Sequence, residues 1–147
     1  MLQANQEKAI RVMNGVVAGT TAQTSSVIDT AGYEGVKIAT LFGAITSTAV
    51  TSVKLQQSSD DGAADAYSDI EGSSVSVADD DDNQIVVHDI YRPQKRYLKV
   101  VVGRGTANAV IDGIVASLYG ARKQPTTDDS ATVVSRKLLV SPDEGTA

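Results

Sequence analysis

Cysteine and tryptophan are absent from this 147-residue chain, and histidine occurs once. Without thiols there is no disulfide framework, no cysteine nucleophile and no thiolate metal site, so stability has to come from packing. Aromatic residues make up only 4%, one phenylalanine and five tyrosines, which leaves few platforms for stacking sugar rings. No apolar run approaches the roughly 18 residues that a membrane-spanning helix needs, so no membrane partner is expected. The opening residues 1–15 include Gln3, Asn5, Gln6, Glu7, Lys8 and Arg11 and lack the apolar core of a secretory signal, so export by that route is not expected. Cations are also scarce: 13 Lys and Arg stand against 18 Asp and Glu, a formal net charge of -5. That balance disfavours nucleic acid as a partner, because such binding needs clustered cations to neutralise phosphates.

Short runs rich in Val, Ile, Thr and Tyr are separated by Gly, Asp and Ser clusters, the pattern of an antiparallel all-β domain. A chain of this length fits one core. In residues 36–42, Val36, Ile38, Thr40 and Phe42 share one face and Lys37 and Ala39 the other. In residues 50–56, Thr51, Val53 and Leu55 alternate with Ser52, Lys54 and Gln56, so each segment is a strand with one buried face. Residues 85–90, 97–103, 110–119 and 132–140 supply further strands, with shorter ones at 27–30 and 75–77. Asp112-Gly113 interrupts its run and predicts a bulge or a change of sheet there. The expectation is an antiparallel β-sandwich, jelly-roll-like, with extended N- and C-terminal arms: an arm over 1–26, a core over 27–120, and a C-terminal arm or final strand over 121–147.

The arms follow from composition. Residues 16–26 are small and polar and cannot bury enough apolar area to order themselves. Upstream, Leu2, Ala9, Ile10 and Met13 also share a helical face that Asn14-Gly15 would end, an alternative to an extended arm. At the other end, the polar residues 122–129 precede the apolar stretch 132–140. A detached apolar strand of this kind pairs with a sheet edge, either in its own subunit or in a neighbour.

Chemistry is sparse. His88 lies in a strand beside Asp89, and adjacent strand residues point to opposite faces, so the two make a poor relay. The sequence contains no G-x-S-x-G, H-E-x-x-H, G-x-x-x-x-G-K-[ST] or G-x-G-x-x-G motif; Gly103-Arg104-Gly105 is a turn by this reading. The run Asp79-Asp80-Asp81-Asp82 offers oxygen ligands but not the alternating spacing, central glycine and closing glutamate of an EF-hand, and is expected to be a solvated hairpin loop. Asp60-Asp61-Gly62 suits a tight connection between strands. No catalytic residue, cofactor or metal is expected, and Tyr33, Tyr97 and Tyr119 are expected as half-buried anchors.

Charge is unevenly spread. Nine acidic residues and no Lys or Arg fall between Asp60 and Asp82, while five basic residues and no acid fall between Tyr91 and Arg104. Two readings stand: the segments mark opposite ends of the sandwich, through which identical copies meet head to flank or the domain orients on a charged assembly, or both are simply solvated.

Three segments recur in an order shared with a known family. They are Asp29-Thr30-Ala31-Gly32-Tyr33-Glu34, then Lys54-Leu55-Gln56-Gln57-Ser58-Ser59-Asp60-Asp61-Gly62, then Lys95-Arg96-Tyr97-Leu98-Lys99-Val100. Together they resemble the cement, or decoration, proteins of tailed-phage capsids built on a β-sandwich, over residues 27–120. The resemblance implies that Asp29, Gly32, Tyr33, Glu34, Arg96 and Tyr97 are scaffold residues, with Glu34 pairing with Arg96. It also implies a virion protein, made in the bacterial cytoplasm, that sits on the outer capsid surface and bridges capsomers. Its partners would be the major capsid protein and further copies of itself in a dimer or trimer. The candidate interface residues are Arg92, Lys95, Val133, Arg136, Lys137 and Leu138. The competing reading is a carbohydrate-binding or fibre-associated sandwich module.

Overall fold

Alternation dictates the strands. Along β5, Gly35–Ile45, the side chains of Val36, Ile38, Thr40 and Phe42 are buried while Lys37 and Ala44 are exposed, and β10, Tyr97–Gly105, alternates without a break. The structure is a computed structural model describing residues 3–146. A single 3-10 turn, Gln3–Asn5, precedes β1 (Lys8–Met13), β2 (Val16–Gly19), β3 (Gln23–Thr24) and β4 (Ile28–Asp29). After β5 come β6 (Val50–Ser58), β7 (Ser68–Asp69), β8 (Val75–Val77) and β9 (Ile85–Tyr91), and β11 (Ala109–Tyr119) follows β10.

The result is an all-β sandwich of two antiparallel sheets. One sheet runs β1-β11-β5-β9, with β2 also paired to β11; in the other, β10 lies between β6 and the short strands β3 and β4, while β7 and β8 flank β6. Between the sheets lies one core that includes Ile28, Ile38, Phe42, Leu55, Leu98, Val100, Ile111, Ile114 and Leu118, all buried. The expected irregularity at Asp112-Gly113 is present: the register of β11 on β5 shifts between Ile111 and Gly113, and Gly113 has φ 147, a backbone state that favours glycine.

Of the segment 1–26 expected as an arm, the described residues 3–26 lie on the two sheets as β1, β2 and β3 and their connections, and the helical alternative does not form there. β1 pairs with Ile114 to Leu118 of β11 and β2 with its start, because alternation in β1 sends Val12 inward, where it is almost wholly buried. The polar stretch after it is ordered by hydrogen bonds instead of apolar area. Ser25 N–H donates to the Val100 carbonyl and Val100 N–H donates to Ser25 Oγ, each at 2.9 Å. Arg104, inward-facing in β10, donates to the carbonyls of Thr21, Val17 and Ala109 at 2.7 to 2.9 Å. A buried guanidinium without a carboxylate is tolerated because these carbonyls take up its donors.

The C-terminal segment also departs from expectation. Residues 132–140 form no strand. The polar residues before them cover the β1 edge: Ala9 N–H donates to Asp128 Oδ1 at 2.7 Å, Arg11 N–H to Thr132 Oγ1 at 3.1 Å, and Thr126 N–H to the Asn5 carbonyl at 3.1 Å. Side-chain oxygens thus satisfy edge amides that would otherwise invite another strand.

Candidate interaction surfaces

One end of the sandwich gathers the motif residues. β4 lies on β10 with Asp29 opposite Tyr97, which brings the Asp29 carboxylate against Arg96. Two bonds of 2.8 Å, from Nε and Nη2, close a forked pair. Arg96 holds the Asp29 carboxyl below its ordinary range, and Asp29 in turn raises the guanidinium. Glu34, expected in that role, lies at the same corner without an ion pair to Arg96: its carbonyl accepts the Arg92 N–H at 2.7 Å, and its N–H donates to the Tyr119 carbonyl. Gly32 takes φ 87 in the turn, where its carbonyl accepts the Arg122 N–H, and Tyr33 packs against the core.

Around this corner lies a cleft of about 580 Å³ whose lining includes Arg92, Arg96, Arg122 and Glu34. Arg92 adopts φ 52 and lies over the Tyr91 ring at 5.1 Å; Arg96 lies over Tyr97 at 4.9 Å. Among the described residues neither Arg92 nor Arg122 pairs with a carboxylate. The cleft can therefore receive an acidic side chain from outside.

The charged segments are not cleanly polar. Lys95 bonds Asp65 at 2.7 Å, so the first acids after Asp60 share an end with the basic segment. Lys95, with help from Ser59, pulls the Asp65 carboxyl down to about 2. Asp60 accepts N–H bonds from Ala63, Ala64 and Asp65 and shapes its own loop. Only Asp79 to Asp82 lie at the far end, between β8 and β9. They are not merely solvated: Asp79 accepts from Thr48 N–H at 2.6 Å, Asp82 from Ile45 N–H at 2.5 Å and Asp81 from Ala78 N–H at 2.9 Å. Among the described residues no three His, Asp or Glu side chains gather as metal ligands would.

His88 points inward from β9, and its Nε2 donates to the Ser73 carbonyl at 2.8 Å, while Nδ1 is buried without a partner. Asp89 points outward and accepts the Tyr119 hydroxyl at 2.6 Å, a bond that pushes that phenol up to about 12. The two side chains do not meet.

No family model matches the chain, and no curated protein matches it as a relative.

The six candidate interface residues divide into separate places. Arg92 faces the cleft, and Lys95 is tied to Asp65. Val133, Arg136, Lys137 and Leu138 follow the segment that caps β1, where Arg136 forks onto Asp128 with bonds of 2.6 and 2.8 Å. Val133 lies beside Leu41 and Val115 at a cleft on the outer face of the β1-β11-β5-β9 sheet, and Leu138 is exposed. Arg122 and Asp128 carry no local mark in the sequence, because the Gly32 carbonyl that Arg122 meets and the Ala9 amide that Asp128 caps both lie far upstream.

Proposed function

We propose that this protein is a non-catalytic virion component, a cement protein bound to the outer surface of a phage capsid, where it bridges capsomers of the major capsid protein. The observation carrying the reading is the corner itself. The residues that resemble the cement family meet there as scaffold, with Asp29 locked to Arg96, and beside them Arg92 and Arg122 offer unpaired cations on a rigid two-sheet platform. A groove of this kind suits acidic surface on a capsomer, because charge complementarity sets the orientation of docking. The single histidine is occupied by a main-chain carbonyl, which fits a structural role better than proton transfer.

The test uses particles. Virions made without the protein should release their genome at lower temperature than complete virions, and purified protein should co-sediment with particles that lack it. Arg92→Glu combined with Arg122→Glu should weaken that binding by about tenfold or more. Unchanged particle stability together with no co-sedimentation would overturn the proposal, and specific retention on a glycan array would favour a carbohydrate-binding module instead.

A further inference from the structure

The β1-β11-β5-β9 sheet has unequal margins. Its β1 side is capped by Asp128 and Thr132, whereas β9 ends the sheet and meets no further strand among the described residues. Outward-facing Ile85 and Val87 on β9 are 58% and 46% exposed. A free edge with apolar side chains is a template for another strand.

The chain also carries an unused segment suited to that edge. Beyond Arg136, the apolar residues Leu138, Leu139 and Val140 are 51%, 60% and 80% exposed, and their backbone belongs to no strand. Charge chooses the direction of pairing. β9 is preceded by Asp79 to Asp82 and followed by Arg92, while the apolar residues are preceded by Arg136-Lys137 and followed by Asp143-Glu144. Laid parallel, each charged end meets its opposite; laid antiparallel, each meets its like.

We infer that residues 137–144 of one copy add as a parallel strand to the β9 edge of a second copy, with Lys137 beside Ile85 and Glu144 beside Arg92. This register puts Leu139 next to Val87 on the outer face and sends Leu138 and Val140 inward beside Val86 and His88, closing the open side of the core. Pro142, which has no N–H, is tolerated in an edge strand. The partner is another copy because Arg136 is held at the β1 margin by Asp128. From there, β9 of the same copy lies three strand spacings away, about 14 Å, and crossing that distance would consume residues 137–140. Reciprocal exchange in a dimer and cyclic exchange in a trimer both cover every β9 edge, leaving at the margin a strand whose outer side Pro142 makes a poorer template. The inference does not rest on capsid binding and is tested without capsids.

Sedimentation of the full chain from low to high micromolar concentration should give two or three times the single-chain mass. A variant with Leu138→Asp and Val140→Asp should sediment at the single-chain mass with an unchanged circular dichroism spectrum. Lys137→Glu should weaken association, and adding Asp80→Lys should restore it. V87C and L139C chains folded together under oxidation should yield a disulfide-linked band of twice the chain mass. A single-chain mass for the unaltered protein, an oligomer that survives the two aspartates, or a V87C/L139C double variant that crosslinks only within one chain would each overturn the inference. Failure of Asp80→Lys to rescue would overturn the parallel alignment.

Discussion

Arg96 grips Asp29 through two parallel hydrogen bonds of 2.8 Å, joining residues 67 positions apart. The pair staples the short β4, which has only two residues paired to β10, at the point where the chain enters the corner turn. Both side chains are about half exposed, so solvent screens the attraction and its worth is modest. Arg96→Lys should keep the charge but lose the fork and lower the melting temperature slightly, and a double-mutant cycle of Arg96→Ala with Asp29→Ala should return a small favourable coupling that shrinks as salt is added. Thermal denaturation of the four variants measures it.

Acid should unfold the protein through the same class of contact. Asp29, Asp65, Asp69 and Asp128 all have carboxyls depressed below the ordinary 3.8, chiefly by side-chain bonds from Arg96, Lys95, Lys54 and Arg136 in turn. A group whose pKa is lower folded than unfolded contributes stability that is fully present above the unfolded value and disappears as pH falls through the folded one. The denaturation midpoint should therefore be level above about pH 5 and drop between about pH 4 and 2, the lower bound being where Asp65 titrates. Lys95→Met should flatten part of that drop, and an unaltered pH profile would show that the Lys95 bond to Asp65 is not formed in solution.

Buried polar atoms mark where the core can be improved. Thr40 is fully buried between Ile38 and Phe42 on the inner face of β5, and its hydroxyl has no hydrogen-bond partner. Thr40→Val has nearly the same shape and removes a desolvated hydroxyl, so it should raise stability by about 1 kcal/mol. By contrast, Leu98→Ala, at a fully buried site in β10, should cost about 2 to 5 kcal/mol because the cavity refills only in part. Chemical denaturation of both variants tests the contrast, and a destabilised Thr40→Val would mean that the hydroxyl is satisfied in solution.

Much of this architecture was legible because pleated strands impose a period of two. Val36, Ile38 and Phe42, and Val53 with Leu55, declare their buried face locally, and Asp112-Gly113 declares the bulge. β1 was obscured because Ile10 and Met13 fit a helical face as well as a strand, and the decision between them rests on β11, a hundred residues downstream. The Asp29 partner of Arg96 was missed in favour of Glu34 for the same reason: the register of β4 on β10 sets it, and no local spacing reports that register. Arg104 was missed for a different reason: the two glycines of Gly103-Arg104-Gly105 read as a turn and ended the strand at Gly103, whereas β10 runs on to Gly105 and Arg104 continues the inward series Leu98, Val100, Val102, with its carbonyl partners Val17 and Thr21 in the polar stretch after β1.

That arrangement makes Arg104 the fastener of the N-terminal strands. Its guanidinium donates to Val17 and Thr21 on one side and to Ala109 on the other, while β2 has only two residues paired to β11 and β3 only two to β10. Arg104→Leu keeps apolar bulk but leaves three carbonyls without their donor, and buried acceptors in that state cost about 1 to 3 kcal/mol each where water cannot reach them. Val17 and Thr21 lie at the surface and recover water when the strand lifts, so the loss should be about 2 to 3 kcal/mol in all, with local opening preceding global unfolding. Hydrogen exchange should locate it: amides of residues 16–24 should lose protection in Arg104→Leu while those of β5 and β10 exchange as before. Uniform loss across both sheets would show instead that Arg104 supports the whole core, and unchanged protection at residues 16–24 would show that β2 and β3 are held without it.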